Sequence, residues 1–252
     1  MNSMNLAILN GRFELISFIL FLCPVFGAFC VNAQVPTPTP QELNEIRVRA
    51  NAGEARSEHD LAELYKWGQG VQQDYAEALK WYLKAAEQGD ADSELNLGYL
   101  YQTGSGIKKN EKEAAKWLEK AAEQGIREAE FSIGSAYLYG KGLRKDQIAA
   151  AHWFEKAAEQ GDGDAMMALG SMRWLGQGLS RDLVIAYMWL TLSEKFGSVE
   201  TRLRANPFVV DVPSTRHDLM RVMSESEVSE GKELADEWIS KHPQLTPANL
   251  KK

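Results

Sequence analysis

Ala85-Ala86-Glu87-Gln88-Gly89 recurs as Ala121-Ala122-Glu123-Gln124-Gly125 and again as Ala157-Ala158-Glu159-Gln160-Gly161. Both steps are 36 residues. A fixed step of that size marks a repeat architecture, so it governs the rest of the reading. Continuing it both ways lands on Gly53 and Gly197. A second motif keeps the register: Gly68-x-Gly70, Gly104-x-Gly106, Gly140-x-Gly142 and Gly176-x-Gly178, followed by Val71, Ile107, Leu143 and Leu179. Trp81, Trp117, Trp153 and Trp189 fall into the same line.

Each unit reads as two helices and a turn. In unit one Leu61, Leu64 and Tyr65 form a stripe at i, i+3 and i+4, which predicts a first helix over about Arg56–Lys66. Unit two repeats it with Leu97, Leu100 and Tyr101, unit three with Ile133, Ala136 and Tyr137, and unit four with Leu169, Met172 and then Arg173. Gly98, Gly134 and Gly170 sit inside these helices, where glycine costs about 1 kcal/mol relative to alanine. Close approach of a neighbouring helix is the physical return for that cost. The Gly-x-Gly pair predicts a left-handed helix end. Asp74, Asn110, Asp146 and Asp182 then cap the second helix, and Asp74 with Glu77 and Asn110 with Glu113 have the spacing of capping boxes.

Such a pair cannot bury its own apolar face; stacking does that, and the ends of a stack need covers. The expected organisation is a leader at 1–33, a Pro/Thr spacer at 34–40, a capping helix at 41–53, four repeats at 54–197, capping helices at 198–242 and a frayed tail at 243–252. In the closing region Ser214 is read as the cap of a short helix, Phe208-Val209-Val210 as lying between proline breaks, and Ser224-x-x-Glu227 as a capping box for a last amphipathic helix. The fold class is all-α, a solenoid of helix-turn-helix repeats.

The pattern Leu-Gly-x-x-Tyr, Gly-x-Gly-Val/Ile, Asp/Asn, Ala-x-x-Trp, Ala-Ala-Glu-Gln-Gly resembles the Sel1-like repeat family, a relative of the tetratricopeptide repeats, over about residues 53–197. The resemblance implies a right-handed α/α superhelix that binds other proteins. A cysteine-rich branch of that family, with penicillin-binding activity, is a poor match: Cys23 and Cys30, the chain's two cysteines, both fall in the leader.

The leader is read from Arg12, the apolar run Leu15–Cys23 and Val31-Asn32-Ala33, which together suit export with cleavage after Ala33. The expected location is the periplasm or outside the cell, with an uncleaved inner-membrane anchor as the alternative. The formal net charge of −7 over 252 residues argues against nucleic acid as a partner, and no membrane association is expected beyond the leader. His59, His152, His217 and His242 form no metal-ligand spacing, the Gly-x-Gly turns lack the lysine and serine of a phosphate loop, and Ser214-His217-Asp218 is a sequence neighbourhood, not a triad geometry. No catalytic residue, cofactor or metal is predicted.

A repeat supplies its own comparison: positions that vary between units are released from the fold. On the first helix these are Asp60, Glu63 and Trp67; Asn96, Tyr99 and Thr103; Ser132, Ser135 and Tyr139; and Ala168, Ser171 and Leu175, with Trp174 beside them. In the related tetratricopeptide architecture the first helices line the concave groove. The candidate partner contacts are Glu63, Trp67, Asn96, Tyr99, Tyr139, Arg173 and Trp174; the aromatics among them suit either a groove or packing between units. The expected function is a non-catalytic protein-binding scaffold of the envelope or secreted space. A hydrolase acting on cell wall or β-lactam, and a structural module that forms homo-oligomers, are the alternatives.

Overall fold

The computed structural model describes residues 37–197 and 212–245, and the regular structure among them is helical throughout. The leader at 1–33, the first part of the spacer at 34–36, Phe208-Val209-Val210 and the end of the tail lie outside the described residues. The folded array begins with α1 (Pro40–Asn51). Four helix pairs follow: α2 (Ala55–Trp67) and α3 (Tyr75–Glu87), α4 (Ala91–Thr103) and α5 (Glu111–Glu123), α6 (Arg127–Tyr139) and α7 (Gln147–Glu159), α8 (Gly163–Leu175) and α9 (Leu183–Phe196). Then come α10 (Val212–Met220), α11 (Glu225–Lys241) and a 3-10 turn at Pro243–Leu245, where a frayed tail was expected. Each helix packs mainly on its neighbours in sequence, and α9 is covered by α10 and α11. This is the one-dimensional stacking of an all-α solenoid.

Local chemistry sets the helix ends. The side chains of Asp74, Asn110, Asp146 and Asp182 accept bonds from free amides in the first turn of α3, α5, α7 and α9. The capping boxes expected at Asp74/Glu77 and Asn110/Glu113 do not close. The Asp74 N–H donates to Tyr65 O at 2.8 Å and the Asn110 N–H to Tyr101 O at 2.9 Å, so neither is free for the glutamate. Glu77 pairs with Lys80 and Glu113 with Lys116 instead. The box at Ser224 and Glu227 does close. α10 starts at Val212, two residues before the start expected at Ser214. Gly197 also departs from its series: its φ is −65°, and it lies against the backbone of Gly163.

The interior glycines are where first and second helices touch. A Cβ at Gly98 would stand 2.6 Å from Leu118, at Gly134 2.9 Å from Phe154 and at Gly170 2.8 Å from Leu190, three residues equivalent to one another in α5, α7 and α9. The tryptophan column joins successive repeats. Trp117 is buried among Ala62, Ala78, Tyr82 and Leu97 of the preceding pair and its own. Trp81, Trp153 and Trp189 occupy the matching places in the other layers. The ammonium groups of Lys84, Lys120 and Lys156 lie 3.9, 4.3 and 4.3 Å from the ring centres of Trp81, Trp117 and Trp153. In the fourth repeat Leu192 takes the lysine position, and Trp189 meets Trp238 of α11 edge-on at 6.2 Å.

Candidate partner-binding face

The variable positions of the first helices share one face because they recur at i, i+3 and i+7. At the last of these positions α2, α6 and α8 expose large apolar side chains: Trp67 is 59% exposed, Tyr139 43% and Leu175 61%. Thr103 fills the place in α4, where its hydroxyl donates to Tyr99 O at 2.8 Å. Leu175 is an exposed apolar group on this face that the choice of contact residues missed. Whether a neighbouring element covers such a position is not encoded in the periodicity.

Glu63 is the polar hub of the face. Its carboxylate accepts from Trp67 Nε1 at 2.7 Å, from Lys66 Nζ at 3.2 Å and from the Tyr82 hydroxyl. Burial opposes ionisation of Glu63, but the Tyr82 hydroxyl and the Lys66 ammonium outweigh it, and the carboxyl titrates below its ordinary range. Lys66 also donates to Asn96 Oδ1 at 2.7 Å, which ties α2 to α4. The Trp67 ring is therefore exposed yet held at its N–H, a rigid anchor with little rotamer freedom left to lose.

Other predicted contacts sit differently. Tyr99 is half-buried on the cluster around Leu118 and Ile133, with its hydroxyl 3.4 Å from Ser132 Oγ. Trp174 is half-buried against the cluster of Met167, Ala186, Tyr187, Leu190 and Leu219. Arg173 turns toward its own repeat's loop, where Nη1 donates to Ser180 O at 3.3 Å and to Ser180 Oγ at 3.0 Å. Its carbonyl accepts from the Asp182 N–H just as those of Tyr65, Tyr101 and Tyr137 accept in their repeats, so the turn survives the loss of the ring.

Near the starts of the first helices Asp164 is half-buried. Burial first, and then the charge of Asp162, push its carboxyl up to about 6. Among the described residues no group of three or more His, Cys, Asp or Glu side chains could hold a metal ion. His59 is buried beside Asp60 and against the Tyr82 ring, His242 stacks on Trp238 at 3.9 Å, and Asp218 pairs with Arg221. Among the described residues no helix is long and apolar enough to cross a membrane.

A stack of equivalent helix pairs with an exposed first-helix face defines a helical-repeat protein. The Sel1 repeat model matches at 55–90, 91–126, 127–162 and 163–194. The chain belongs to the Sel1-repeat family, whose members are generally protein-interaction scaffolds and typically non-enzymatic. It is similar to a protective antigen present in uropathogenic Escherichia coli strains that displays an SLR fold (32% identity, TM-score 0.69), over 84% of this chain and 43% of that one. It therefore spans less than half the length of that protein. A Sel1 repeat protein from Oxalobacter formigenes is 30% identical, with TM-score 0.60 and 78% of each chain covered. No curated protein matches this sequence.

Proposed function

We propose that this chain is a non-catalytic adaptor of the cell envelope or secreted space that holds a partner protein along its first-helix face. The observation that carries this reading is the row of exposed apolar groups Trp67, Tyr139 and Leu175 beside the ordered polar cluster of Glu63, Lys66 and Asn96. An exposed ring fixed at its edge, as Trp67 is by Glu63, suits a binding hot spot, because most of its ordering entropy is spent before the partner arrives. Asn96 and the half-buried Tyr99 extend the same face into the second repeat. Export follows from the apolar run after Arg12 and from Val31-Asn32-Ala33.

Crosslinking of the tagged full-length protein in its native compartment, with identification by mass spectrometry, tests the adaptor reading. One partner should dominate and be lost in Trp67→Ala/Tyr139→Ala. Unchanged crosslinks in that variant would move the partner to another face. Sequencing the amino terminus of the protein recovered from the periplasm or medium should begin at Gln34; an intact leader in the membrane fraction would mean an anchor.

A further inference from the structure

The opposite ends of the helices carry different charge. Where each second helix ends and the next first helix begins, carboxylates gather: Glu87, Asp92, Glu123, Glu128 and Glu159. Where each first helix turns into its second helix, repeats two to four carry cations. Lys109, Lys145 and Arg181 occupy one register position just before the caps, and Lys108 and Arg144 precede two of them; repeat one has Gln72 and Gln73 there. All five cations are exposed. Lys109 pairs with Glu111 at 3.0 Å. Lys108, Arg144, Lys145 and Arg181 make no ion pair among the described residues.

The same edge is concave. The Gly140–Arg144 turn of repeat three leans on the start of α5, and Gly142 is so close to Glu111 that a Cβ there would stand 1.9 Å from its carbonyl oxygen. The step leaves a cleft of roughly 730 Å³ lined by Lys109, Lys112 and Arg144. The next step, against Gly178, leaves one of roughly 960 Å³ lined by Arg144, Lys145 and Ile148. Ile148 is 71% exposed. The two clefts adjoin at Leu143 and Arg144, and their lining carries four cations, Lys109, Lys112, Arg144 and Lys145, against two carboxylates, Glu111 and Asp146, which leaves a cationic excess beside apolar patches.

We propose that this edge is a second binding surface, separate from the first-helix face, and that it takes an acidic, extended polypeptide segment carrying an apolar side chain. Unpaired cations in a stepped cleft suit carboxylates spaced along a thin chain, and Ile148 and Leu143 suit an aliphatic group between them. A bulky polyanion would also meet the field of a chain with net charge −7. A second copy is the weaker occupant, because part of its acidic edge is already neutralised: Arg56 bonds Asp92 at 3.4 Å and Arg127 bonds Glu128 at 2.6 Å.

Fluorescence anisotropy of the full chain with a fluorescein-labelled Glu-rich peptide containing interspersed leucines tests this. Binding should saturate and weaken about tenfold between ~0.05 and ~0.3 M NaCl. Lys108→Glu/Arg144→Glu/Lys145→Glu should weaken it by more than about tenfold. Ile148→Ser should weaken it a few-fold at every salt concentration, and so should a peptide with serine in place of leucine. These sites are exposed, so circular dichroism melting should be unchanged in both variants. The proposal is overturned if the triple variant binds as well as the parent. It is equally overturned if a duplex oligonucleotide or phosphatidylglycerol vesicles bind more tightly than the peptide. Self-association in sedimentation velocity that the triple variant abolishes would also overturn it, since the edge would then be covered by a second copy.

Discussion

Gln88 Nε2 donates to Glu58 Oε2 at 2.7 Å across 30 residues, linking the end of α3 to the first turn of α2. The bond recurs from Gln124 to Glu94 at 2.7 Å and from Gln160 to Glu130 at 2.8 Å. All three glutamates are buried. The glutamine of the repeated Ala-Ala-Glu-Gln-Gly string is therefore a clamp that closes the first three helix pairs at their open ends. In the fourth repeat both partners turn apolar together: Met166 and Phe196 stand at the equivalent positions and share one core cluster.

That joint replacement predicts the outcome of a mutant cycle. Gln124→Leu alone leaves a buried carboxylate without its donor and should cost about 1–3 kcal/mol. Glu94→Met/Gln124→Leu, which copies the chemistry of repeat four, should be less destabilising than either single change. Chemical denaturation of the four proteins gives the coupling; strict additivity would mean the two side chains act independently.

Asp164 gives the fold a pH dependence of known sign. Its folded-state value, about 6, lies above the ordinary aspartate value. The folded chain then holds this proton more tightly than the unfolded chain, so the stabilising contribution is full below about pH 4 and is lost as pH rises through 6. Asp164→Asn should melt higher than the parent at pH 7.5 and equally at pH 4. Solvent screening of a half-exposed group keeps the gap to about 1 kcal/mol, a few degrees. A gap that stays constant with pH would contradict this origin.

Gly134→Ala should destabilise although alanine is the better helix former. The propensity gain of about 1 kcal/mol competes with a Cβ placed 2.9 Å from the Phe154 ring, and overpacking typically costs about 1–3 kcal/mol. In a Phe154→Ala background the same change should cost less, since the ring atoms that its methyl would meet are gone. An equal cost would mean that backbone, and not the ring, sets the limit.

Trp67 and Trp174 should separate in thermal melts. Trp174→Ala removes a half-buried ring packed on the cluster around Tyr187, Leu190 and Leu219, and should lower the melting temperature by several degrees. Trp67→Ala removes an exposed ring and should leave it within about a degree. Equal shifts would show that exposure does not distinguish them.

Trp238 should control the end of the array. It meets Trp189 and Phe196 edge-on at 6.2 and 5.5 Å and stacks on His242. Trp238→Ala should speed amide exchange in α9 and α11 while leaving α2 to α5 protected, because each repeat depends mainly on its neighbours. Uniform loss of protection would mean that the array melts as one unit.

The amino-acid sequence by itself determined the repeat length, the number of units, and where the first helices of the repeats stop and the second helices start. Those features rest on local causes: left-handed glycines such as Gly68 and Gly140 stop helices, and carboxylates such as Asp74 and Asp146 start them. Tertiary structure decided what a position does when its local pattern allows two outcomes. Asp74 lost its capping box to the carbonyl of Tyr65, Glu58 and Gln88 met across a helix pair, and Trp67 stayed exposed while Trp174 was packed half-buried on a core cluster. Hydrogen-bond competition and burial depend on groups distant in the chain, so those choices are made only when the repeats stack.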